Sequence, residues 1–363
     1  IVHFIVSQAL SVCQGFFSFF APLSYIILYA TLKQKLLLFL SMNILKEVNH
    51  MINIRKAAII GCGFVGASTA FSLVHKGLFS ELVLIDADQK KAEGEAMDLS
   101  HGRPFTSPMH IYAGSYDDIS DCALIIITAG ANQKPGETRL DLVHKNIAIF
   151  KTIIPEITKR DFEGILLIVA NPVDILTYAA LKLSGYPKER VLGSGTVLDS
   201  ARFRYLLSEH LTVDSRSVHA YIIGEHGDSE LAVWSSSNVS GISINDFCEL
   251  RGHYDHEQAM NRIYHTVRDS AYEIIDRKGA TYYGVAMAVS RIAESIIRNE
   301  HSVLPVSSLL NGEYGLRDLC ISVPTIVSGK GAEQVLEIPL SPDELEKLKR
   351  SATELKEVLG SVI

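Results

Sequence analysis

From Lys56 onward, short apolar segments alternate with longer amphipathic ones, and this alternation is the feature that most limits how the chain can fold. It is the pattern of a parallel sheet whose strands are joined by crossover helices. Strands are predicted at 57–61, 82–86, 124–129 and 165–170, with a shorter one near Val191. Helices are predicted at 66–75, 90–100 and 140–159. The sequence therefore predicts an α/β fold with a doubly wound parallel sheet.

Near Asp199 the pattern changes. Long helical segments at 256–277 and 283–298 alternate with β-rich segments at 303–310 and 319–327. A last amphipathic helix is predicted at 341–358, with Ser341 as its cap and Pro342 at its first position. A chain of 363 residues is long enough for two domains. We expect a second, α+β domain from residue 194 that packs closely on the first.

The first fifty residues differ from the rest. Residues 1–32 contain no Lys, Arg, Asp or Glu, and the stretch 4–31 is long enough to cross a bilayer. However, the chain does not begin with Met, no basic region precedes the apolar stretch, and Pro22 interrupts it. We expect residues 1–50 to be an apolar extension outside the functional fold, which would then start near Met51. A membrane anchor is the alternative.

Charge and cysteine content exclude several classes of protein. The net charge is −7, with acids and bases interspersed, so the chain has no basic patch of the kind that binds nucleic acid. Its five cysteines are scattered and lack metal-ligand spacing. They predict free thiols in a reducing cytosol, without a disulfide framework or a bound metal.

A glycine-rich turn joins the first predicted strand to its helix. Its residues, 61–66, read GCGFVG, and a second strand ends in Asp86, twenty residues beyond Gly66. Such glycines allow a tight turn and a close approach of the backbone to a pyrophosphate, which faces the helix N-terminus. A carboxylate at Asp86 accepts hydrogen bonds from a ribose diol and repels a 2′-phosphate, which favours NAD over NADP. A glycine-rich turn of an unrelated α/β protein is the alternative.

One histidine stands out by its neighbours. The stretch 224–228 reads GEHGD and places His226 between two glycines and two carboxylates, directly after the apolar stretch 221–223. A histidine on such permissive backbone at the end of a strand is well placed to exchange a proton near neutral pH. An ordinary turn histidine is the alternative, so the interpretation depends on what else the chain supplies.

Three further segments carry polar groups of the kind that a buried site needs. Residues 130–139 follow an apolar strand and are rich in turn formers, which predicts a mobile loop. Residues 171–174 read NPVD and follow the next apolar strand. Asp199 and Arg202 open a helix, and their i, i+3 spacing puts them on one face. Each of these residues also has a purely structural alternative, as a helix cap, an exposed loop arginine or a turn asparagine.

Together these motifs resemble the lactate/malate dehydrogenase family, and most of all the L-lactate dehydrogenases of the bacterial, fructose-1,6-bisphosphate-regulated type. The resemblance covers roughly 310 residues, from about Met51 to the end. It implies an NAD-binding Rossmann domain over residues 51–193, with an active-site loop at 130–139, and an α+β catalytic domain over residues 194–363. It also implies a cytoplasmic homotetramer that reversibly reduces pyruvate to (S)-lactate with NADH, in fermentation.

The resemblance implies a role for each charged residue. His226 would exchange a proton with the substrate oxygen, and Asp199 would bind the far nitrogen of the ring and fix its tautomer. Arg202 would hold the substrate carboxylate with its planar fork of donors. Arg139, on the loop, would polarise the ketone. Loop closure would exclude water.

Substrate and cofactor contacts follow from the same resemblance. Asn171 would orient substrate and ring, and Thr281 would contact the substrate. The family's malate dehydrogenases carry Arg at the position of Gln133, so a neutral Gln predicts pyruvate rather than a dicarboxylate, whose second charge would stay unpaired. The implied cofactor-binding residues are Gly61, Gly63, Val65, Gly66, Asp86, Lys91, Tyr116, Gly130, Ala131, Val169 and Asn171.

Arg204 and His219 match the positions that bind fructose-1,6-bisphosphate in the bacterial enzymes, although a surface arginine and a strand histidine are the alternative. The function itself also has competing interpretations. The chain could be a malate or branched 2-oxo acid dehydrogenase, a non-catalytic protein that keeps the fold, or a membrane-attached dehydrogenase that reduces a quinone. The last would need a flavin site that the sequence does not show.

Overall fold

A computed structural model of the 363-residue chain describes Lys35 and residues 53–131, 136, 138–252 and 254–362. The chain divides into two units, residues 1–51 and residues 52–363, and the second contains every element considered below. The predicted apolar extension over residues 1–50 lies outside the described residues, apart from Lys35. The division into domains at residue 193 stays a prediction.

Fourteen strands and nine α-helices are described in residues 53–362. The strands are β1 (Asn53–Ile60), β2 (Glu81–Ile85), β3 (His110–Ala113), β4 (Cys122–Ile127), β5 (Ile165–Ile168), β6 (Val191–Gly193), β7 (Val218–His219), β8 (Ile222–Ile223), β9 (Leu231–Ala232), β10 (Asn238–Val239), β11 (Ile242–Ser243), β12 (Ser302–Asn311), β13 (Arg317–Ser328) and β14 (Gly331–Val335). The helices are α1 (Phe64–Lys76), α2 (Gln89–His101), α3 (Arg139–Thr158), α4 (Val173–Ser184), α5 (Val197–Leu211), α6 (Ile244–Leu250), α7 (His256–Lys278), α8 (Tyr283–Ile297) and α9 (Pro342–Val362).

The main sheet has nine strands in the order β14-β13-β12-β6-β5-β4-β1-β2-β3. Its six strands from β6 to β3 are parallel, and the winding direction reverses between β1 and β4. A reversal of this kind opens a crevice at the carboxyl ends of the strands, where open α/β sheets bind ligands. The predicted doubly wound parallel sheet is confirmed.

The antiparallel strands β12 to β14 extend this same sheet, an arrangement that the sequence did not predict. They join it through a single register pair, Ser307 opposite Gly193. A Cβ on Gly193 would lie 3.0 Å from the Ser307 Cβ, so the close approach favours glycine there. The strands of both predicted domains therefore form one hydrogen-bonded sheet.

Strand β4 shows why these residues form a doubly covered sheet. Ile125 and Ile127 pack into one apolar cluster with Phe150, whereas Leu124 and Ile126 pack into a second cluster with Leu73. Successive side chains point to opposite faces of a strand, so an uninterrupted apolar run requires helices on both faces. Each fully buried side chain of this kind contributes about 1.5–3 kcal/mol.

A third cluster fixes helix α5 against the short strands that lead to His226. Phe203 and Leu207 of α5 pack there with Val218 and Ile222, all of them nearly inaccessible to solvent. Because α5 also carries Asp199, this packing sets the distance between that carboxylate and the turn after β8.

The last helix begins as predicted and ends later. Ser341 Oγ accepts from the Glu344 amide at 3.2 Å, and Glu344 Oε2 accepts from the Ser341 amide at 2.8 Å, a reciprocal capping box. The helix runs to Val362 rather than to residue 358. Leu355 and Leu359 continue its buried stripe, which holds the last turn against the body of the protein.

Two further observations concern membranes and thiols. Within the part of the chain that the structure describes, no helix is long and apolar enough to cross a membrane. The four cysteines in that part, Cys62, Cys122, Cys248 and Cys320, are free and buried.

Candidate active site

The backbone of His226 is held from two sides. Gly224 ends β8 with a φ of +97°, a conformation that favours glycine, and exchanges two backbone hydrogen bonds with Ser322 of β13. Two residues later, the His226 amide donates to Asp174 Oδ2 at 2.8 Å. Strand β13 and helix α4 therefore fix the point from which the imidazole projects.

The ring of His226 is paired with Asp199. Its Nδ1 lies 2.6 Å from Asp199 Oδ2, and the Asp199 side chain is only 3% exposed while the ring is 26% exposed. A carboxylate can only accept, so Nδ1 carries the proton in this pair and Nε2 is left for the substrate side. The neighbouring acids make other contacts: Glu225 accepts from Ser229, and Asp228 accepts from Tyr272.

Arg202 completes this charged group. Its Nη1 donates to the other oxygen, Asp199 Oδ1, at 2.7 Å, so one carboxylate joins the predicted clamp and the predicted proton carrier. The i, i+3 placement on α5 produces this contact directly. Burial opposes ionisation of Asp199, but His226 and Arg202 outweigh it and lower the pKa of this carboxyl below its ordinary value of 3.8.

The same contacts make the imidazole a stronger base than a free histidine. Burial lowers the pKa of His226, but the charge and hydrogen bond of Asp199, with Glu230 and Asp174 nearby, raise it to about 9. The ring therefore carries a proton at neutral pH and can give it to an acceptor at Nε2.

A buried asparagine connects the Asn171 segment to the start of the loop. Asn146 Nδ2 donates to the Asn171 carbonyl at 2.6 Å, and its Oδ1 accepts from the Ala131 amide at 2.7 Å. Asn171 itself is exposed at the end of β5, two residues before α4 begins. The segment 171–174 thus reaches His226 through Asp174.

The other predicted substrate residues are described only in part. Gln133 lies outside the described residues, and so does the side chain of Arg139. Arg139 opens α3, and the preceding Thr138 forms a capping box with Asp141, with bonds of 2.7 to 3.1 Å. Thr281 lies half-buried between α7 and α8.

A cavity of about 790 Å³ lies at the crevice between β1 and β4. Seven of the predicted cofactor residues line it: Gly61, Gly63, Asp86, Lys91, Tyr116, Gly130 and Ala131. Val65, Gly66, Val169 and Asn171 are not among its lining residues.

The glycines of this turn have different structural roles. A Cβ on Gly66 would lie 1.9 Å from the Gly61 carbonyl oxygen, and Gly61 has a φ of +102°, so both are needed for the turn itself. A Cβ on Gly63 would meet nothing within 4 Å and would extend into open space. Gly63 caps α1 without a side-chain hydrogen bond, which leaves amides of the first turn for an anionic ligand.

Asp86 stands at the end of β2 beside this turn. It accepts from the Cys62 amide at 2.6 Å and from the Asp88 amide at 2.9 Å, which fixes the carboxylate at the rim of the cavity. A fixed acid next to a glycine cradle and an uncapped helix end fits the ribose and the pyrophosphate of a dinucleotide.

The two residues predicted to bind a bisphosphate line a separate cavity of about 480 Å³. Arg204 Nη2 donates to the Ser215 carbonyl at 3.1 Å, while its buried Nε has no hydrogen-bond partner among the described residues. His219 lies exposed on β7. The structure thus brings the two predicted residues to one cavity.

Sequence reasoning missed three polar residues of this region. Asp174, Asn146 and Glu230 are all buried, and each contacts or closely approaches a predicted site residue. Asp174 could have been found from its place in the NPVD stretch. Glu230 could have been found as an acid that directly precedes an apolar strand. Asn146 gave no signal, because its partners are fifteen and twenty-five residues away.

A dinucleotide cradle beside a histidine–aspartate pair and an arginine defines a nicotinamide-dependent oxidoreductase of an anionic substrate. Residues 55–193 match the family model described as the NAD binding domain of lactate/malate dehydrogenase, and residues 196–363 match its alpha/beta C-terminal domain. The chain belongs to the lactate/malate dehydrogenase family. The predicted family and the predicted NAD cofactor are confirmed.

Several relatives are similar over nearly their whole length. The L-lactate dehydrogenase of Acetivibrio thermocellus is 56% identical over 315 residues, which cover 87% of this chain and 99% of that protein. L-lactate dehydrogenase 1 of Clostridium acetobutylicum is 53% identical over 307 residues, with 85% and 98% covered. The ligands-bound crystal structure of the minor L-lactate dehydrogenase of Enterococcus mundtii aligns with a TM-score of 0.83 at 47% identity, over 85% of this chain and 98% of that one.

Proposed function

We propose that the chain reduces pyruvate reversibly to (S)-lactate with NADH, that its site residues act as described below, and that it regenerates NAD in fermentation. Curated relatives that are more than 50% identical confirm the predicted NAD-dependent L-lactate dehydrogenase. The observation that carries the mechanism is the buried contact between Asp199 and His226, with Arg202 on the same carboxylate.

In the direction of reduction, His226 donates its Nε2 proton to the substrate ketone oxygen. Bound NADH supplies the hydride for the ketone carbon. Asp199 holds the ring by Nδ1 throughout, so the tautomer is fixed and the imidazolium is stabilised. In the oxidation of lactate, the neutral ring takes the hydroxyl proton back at Nε2.

Arg202 and the residues of the loop complete the proposal. The guanidinium uses one nitrogen on Asp199, which leaves its other donors for a bidentate contact with the substrate carboxylate. Arg139 polarises the ketone, Asn171 orients the substrate, and Thr281 contacts it. The loop 130–139 would close over the substrate and exclude water. Asn146 binds the Ala131 amide near its start, and Thr138 caps helix α3 near its end.

Gln133 sets the choice of substrate in this proposal. A neutral side chain leaves the second carboxylate of oxaloacetate unpaired inside a closed site, whereas the methyl group of pyruvate brings no charge. We expect Gln133→Arg to invert the preference for pyruvate over oxaloacetate. Branched 2-oxo acids would be distinguished by their rates in the same assay.

The direct experiment is the loss of NADH absorbance with pyruvate and, separately, with oxaloacetate, using protein that starts at Met51. Comparable rates with the two substrates in the wild type would contradict the assignment of Gln133. No turnover with any 2-oxo acid would favour a non-catalytic protein that keeps the fold.

We also propose activation by fructose-1,6-bisphosphate. The cavity with Arg204 and His219 offers a guanidinium and an imidazole, and the buried Nε of Arg204, which has no partner among the described residues, is a donor suited to phosphate. Pyruvate saturation would be measured with and without the bisphosphate between about pH 5.5 and pH 7.5, where a histidine titrates. An unchanged saturation curve in wild type would refute the assignment.

Assembly and location complete the proposal: a homotetramer in the cytoplasm. Phe71 and Met287 are 66% and 68% exposed, which suits a covered subunit interface. Four buried free thiols suit a reducing compartment. Light scattering of the purified protein tests the assembly, and fractionation of cells tests the location.

A further inference from the structure

Glu230 is a buried acid that the mechanism above does not use. Its side chain is 4% exposed, and it stands four residues after His226, where the chain returns from the turn to strand β9. Its Oε1 is buried and has no hydrogen-bond partner among the described residues. A buried carboxylate oxygen without a partner is costly when charged, whereas a protonated carboxyl avoids most of that cost.

The position of Glu230 is fixed by its own backbone. Its amide donates to the Gly227 carbonyl at 3.2 Å, and its carbonyl accepts from the Tyr264 hydroxyl at 2.6 Å. Strand pairing of β9 with β8 holds the following residues. These contacts fix the backbone from which the Glu230 side chain projects.

The neighbours of Glu230 include both members of the proton-carrying pair. A carboxylate oxygen of Glu230, one of Asp199 and a ring nitrogen of His226 all lie within 4.8 Å of one another. Two carboxylates this close do not both ionise readily, and Asp199 already binds two cations. The proton of a neutral acid therefore belongs on Glu230.

Other charged groups also face this position. Arg202 lies on the side of α5, Asp228 on the same turn, and Tyr264 on α7. Glu230 further lines a cavity of about 940 Å³, whose titratable lining residues from α7 and α9 include His265, Glu344, Lys347, Arg350 and Glu354. Burial and the charge of Asp199 raise the pKa of Glu230 to about 8, although His226 and Arg202 act in the opposite direction.

We propose that Glu230 is an uncharged carboxylic acid at neutral pH, and that its ionisation at higher pH makes the surroundings of His226 and Arg202 too negative for an anionic substrate. With Glu230 neutral, the charges of Asp199 and Arg202 cancel, and the imidazolium remains to balance the substrate carboxylate. Ionisation of Glu230 adds one negative charge beside the substrate site. The kinetic consequences of this inference rest on the proposed function, whereas its consequences for stability do not.

The test compares wild type with Glu230→Gln, which keeps the shape of a protonated glutamate and cannot ionise. At neutral pH we expect kcat and the KM for pyruvate to change less than about twofold, because the replaced group is already neutral. Above about pH 8, log kcat/KM for pyruvate should fall with a slope approaching two in wild type, since Glu230 and His226 both lose protons. In the variant the slope should be one.

A second readout needs no substrate. An acid whose pKa is 4.5 when unfolded and about 8 when folded makes the folded state progressively less stable as pH rises between those values. The melting temperature of Glu230→Gln relative to wild type should therefore rise by a few degrees over that window and then stay constant. Glu225→Gln is the matched comparison, because it makes the same substitution at a buried neighbour whose carboxylate accepts a hydrogen bond from Ser229.

A melting difference that is constant from pH 4.5 to 8, with equal kinetic slopes in wild type and variant, would show that Glu230 is ionised throughout and would overturn the proposal. A melting difference that rises between pH 4.5 and about 8, in a protein that does not turn over pyruvate, would support the proposal for Glu230 and refute the proposed function. The two failures are thus distinguishable.

Discussion

The glycine turn at the cofactor cavity and the histidine turn at β8 both lie at the ends of buried strands, but they are built differently. In the first, Gly61 and Gly66 lie against each other within one turn, and hydrogen bonds join this turn to Asp86 and Thr128 at the ends of the two neighbouring strands of the sheet. In the second, His226 depends on Asp199 and Asp174, which are 27 and 52 residues away and lie on separate helices. The shape of the cofactor turn depends chiefly on two glycines five residues apart, whereas the proton-carrying centre is assembled by the packing of separate helices.

The largest effect is expected from a substitution at the histidine turn that leaves the cofactor turn unaffected. His226→Gln removes the proton donor, so kcat for pyruvate should fall about 10²–10⁴-fold while NADH still binds, because the cofactor turn does not contact the ring. NADH binding would be followed by fluorescence titration and turnover by absorbance. His75→Gln, an exposed histidine at the end of α1, is the control and should behave as wild type. Parallel loss of NADH binding would contradict the separation.

Asp199→Asn tests the assembled centre through its pH dependence. The pKa of His226 is raised to about 9 chiefly by Asp199 against the effect of burial, so the amide should let it fall towards or below its ordinary 6.5. Pyruvate reduction needs the imidazolium and should be lost at lower pH than in wild type. Lactate oxidation needs the neutral ring and should begin at lower pH. We expect kcat for reduction at neutral pH to fall about 10²-fold, and an unshifted profile would exclude this role of Asp199.

The cofactor turn is tested by a pair of glycine substitutions. Gly63→Ala places a methyl group in open space, so the protein should melt as wild type while its Kd for NADH rises about tenfold. Gly66→Ala forces a methyl group against the Gly61 carbonyl and should destabilise the fold by about 1–3 kcal/mol. Equal melting temperatures and equal Kd values in the two variants would show that Gly63 and Gly66 do not have the separate roles of leaving room for the ligand and shaping the turn.

The smallest effect is expected at the second acid that holds His226. Asp174→Asn keeps an oxygen that accepts from the His226 amide, so the backbone contact is retained. We expect kcat to change less than about threefold, because the contact is with the backbone and not with the ring. An effect as large as that of Asp199→Asn would show that Asp174 acts on the imidazole itself.

Most of the fold and much of the site could be predicted from the sequence. Strand and helix periods are local, so the parallel sheet, the glycine turn and the caps of the last helix follow from neighbouring residues. The i, i+3 spacing likewise predicted that Asp199 and Arg202 would share a face, and they bind each other. Asn146 and Glu230 could not be found in this way, since a buried asparagine or glutamate looks like a surface residue until its surroundings are known.

The sequence by itself determined the doubly wound sheet, the cradle for NAD and the identity of the groups that could carry charge, because each depends on short spacings and side-chain chemistry. The family resemblance already implied that Asp199 binds the ring of His226, and the tertiary structure shows that contact. Only the tertiary structure placed Asp174 on the backbone of His226 and buried Glu230 beside the pair. It also extended one sheet through Gly193 to the last three strands. The effect of a charge depends on its distance from other charges and on its burial, and the order of residues along the chain fixes neither the distance nor the burial.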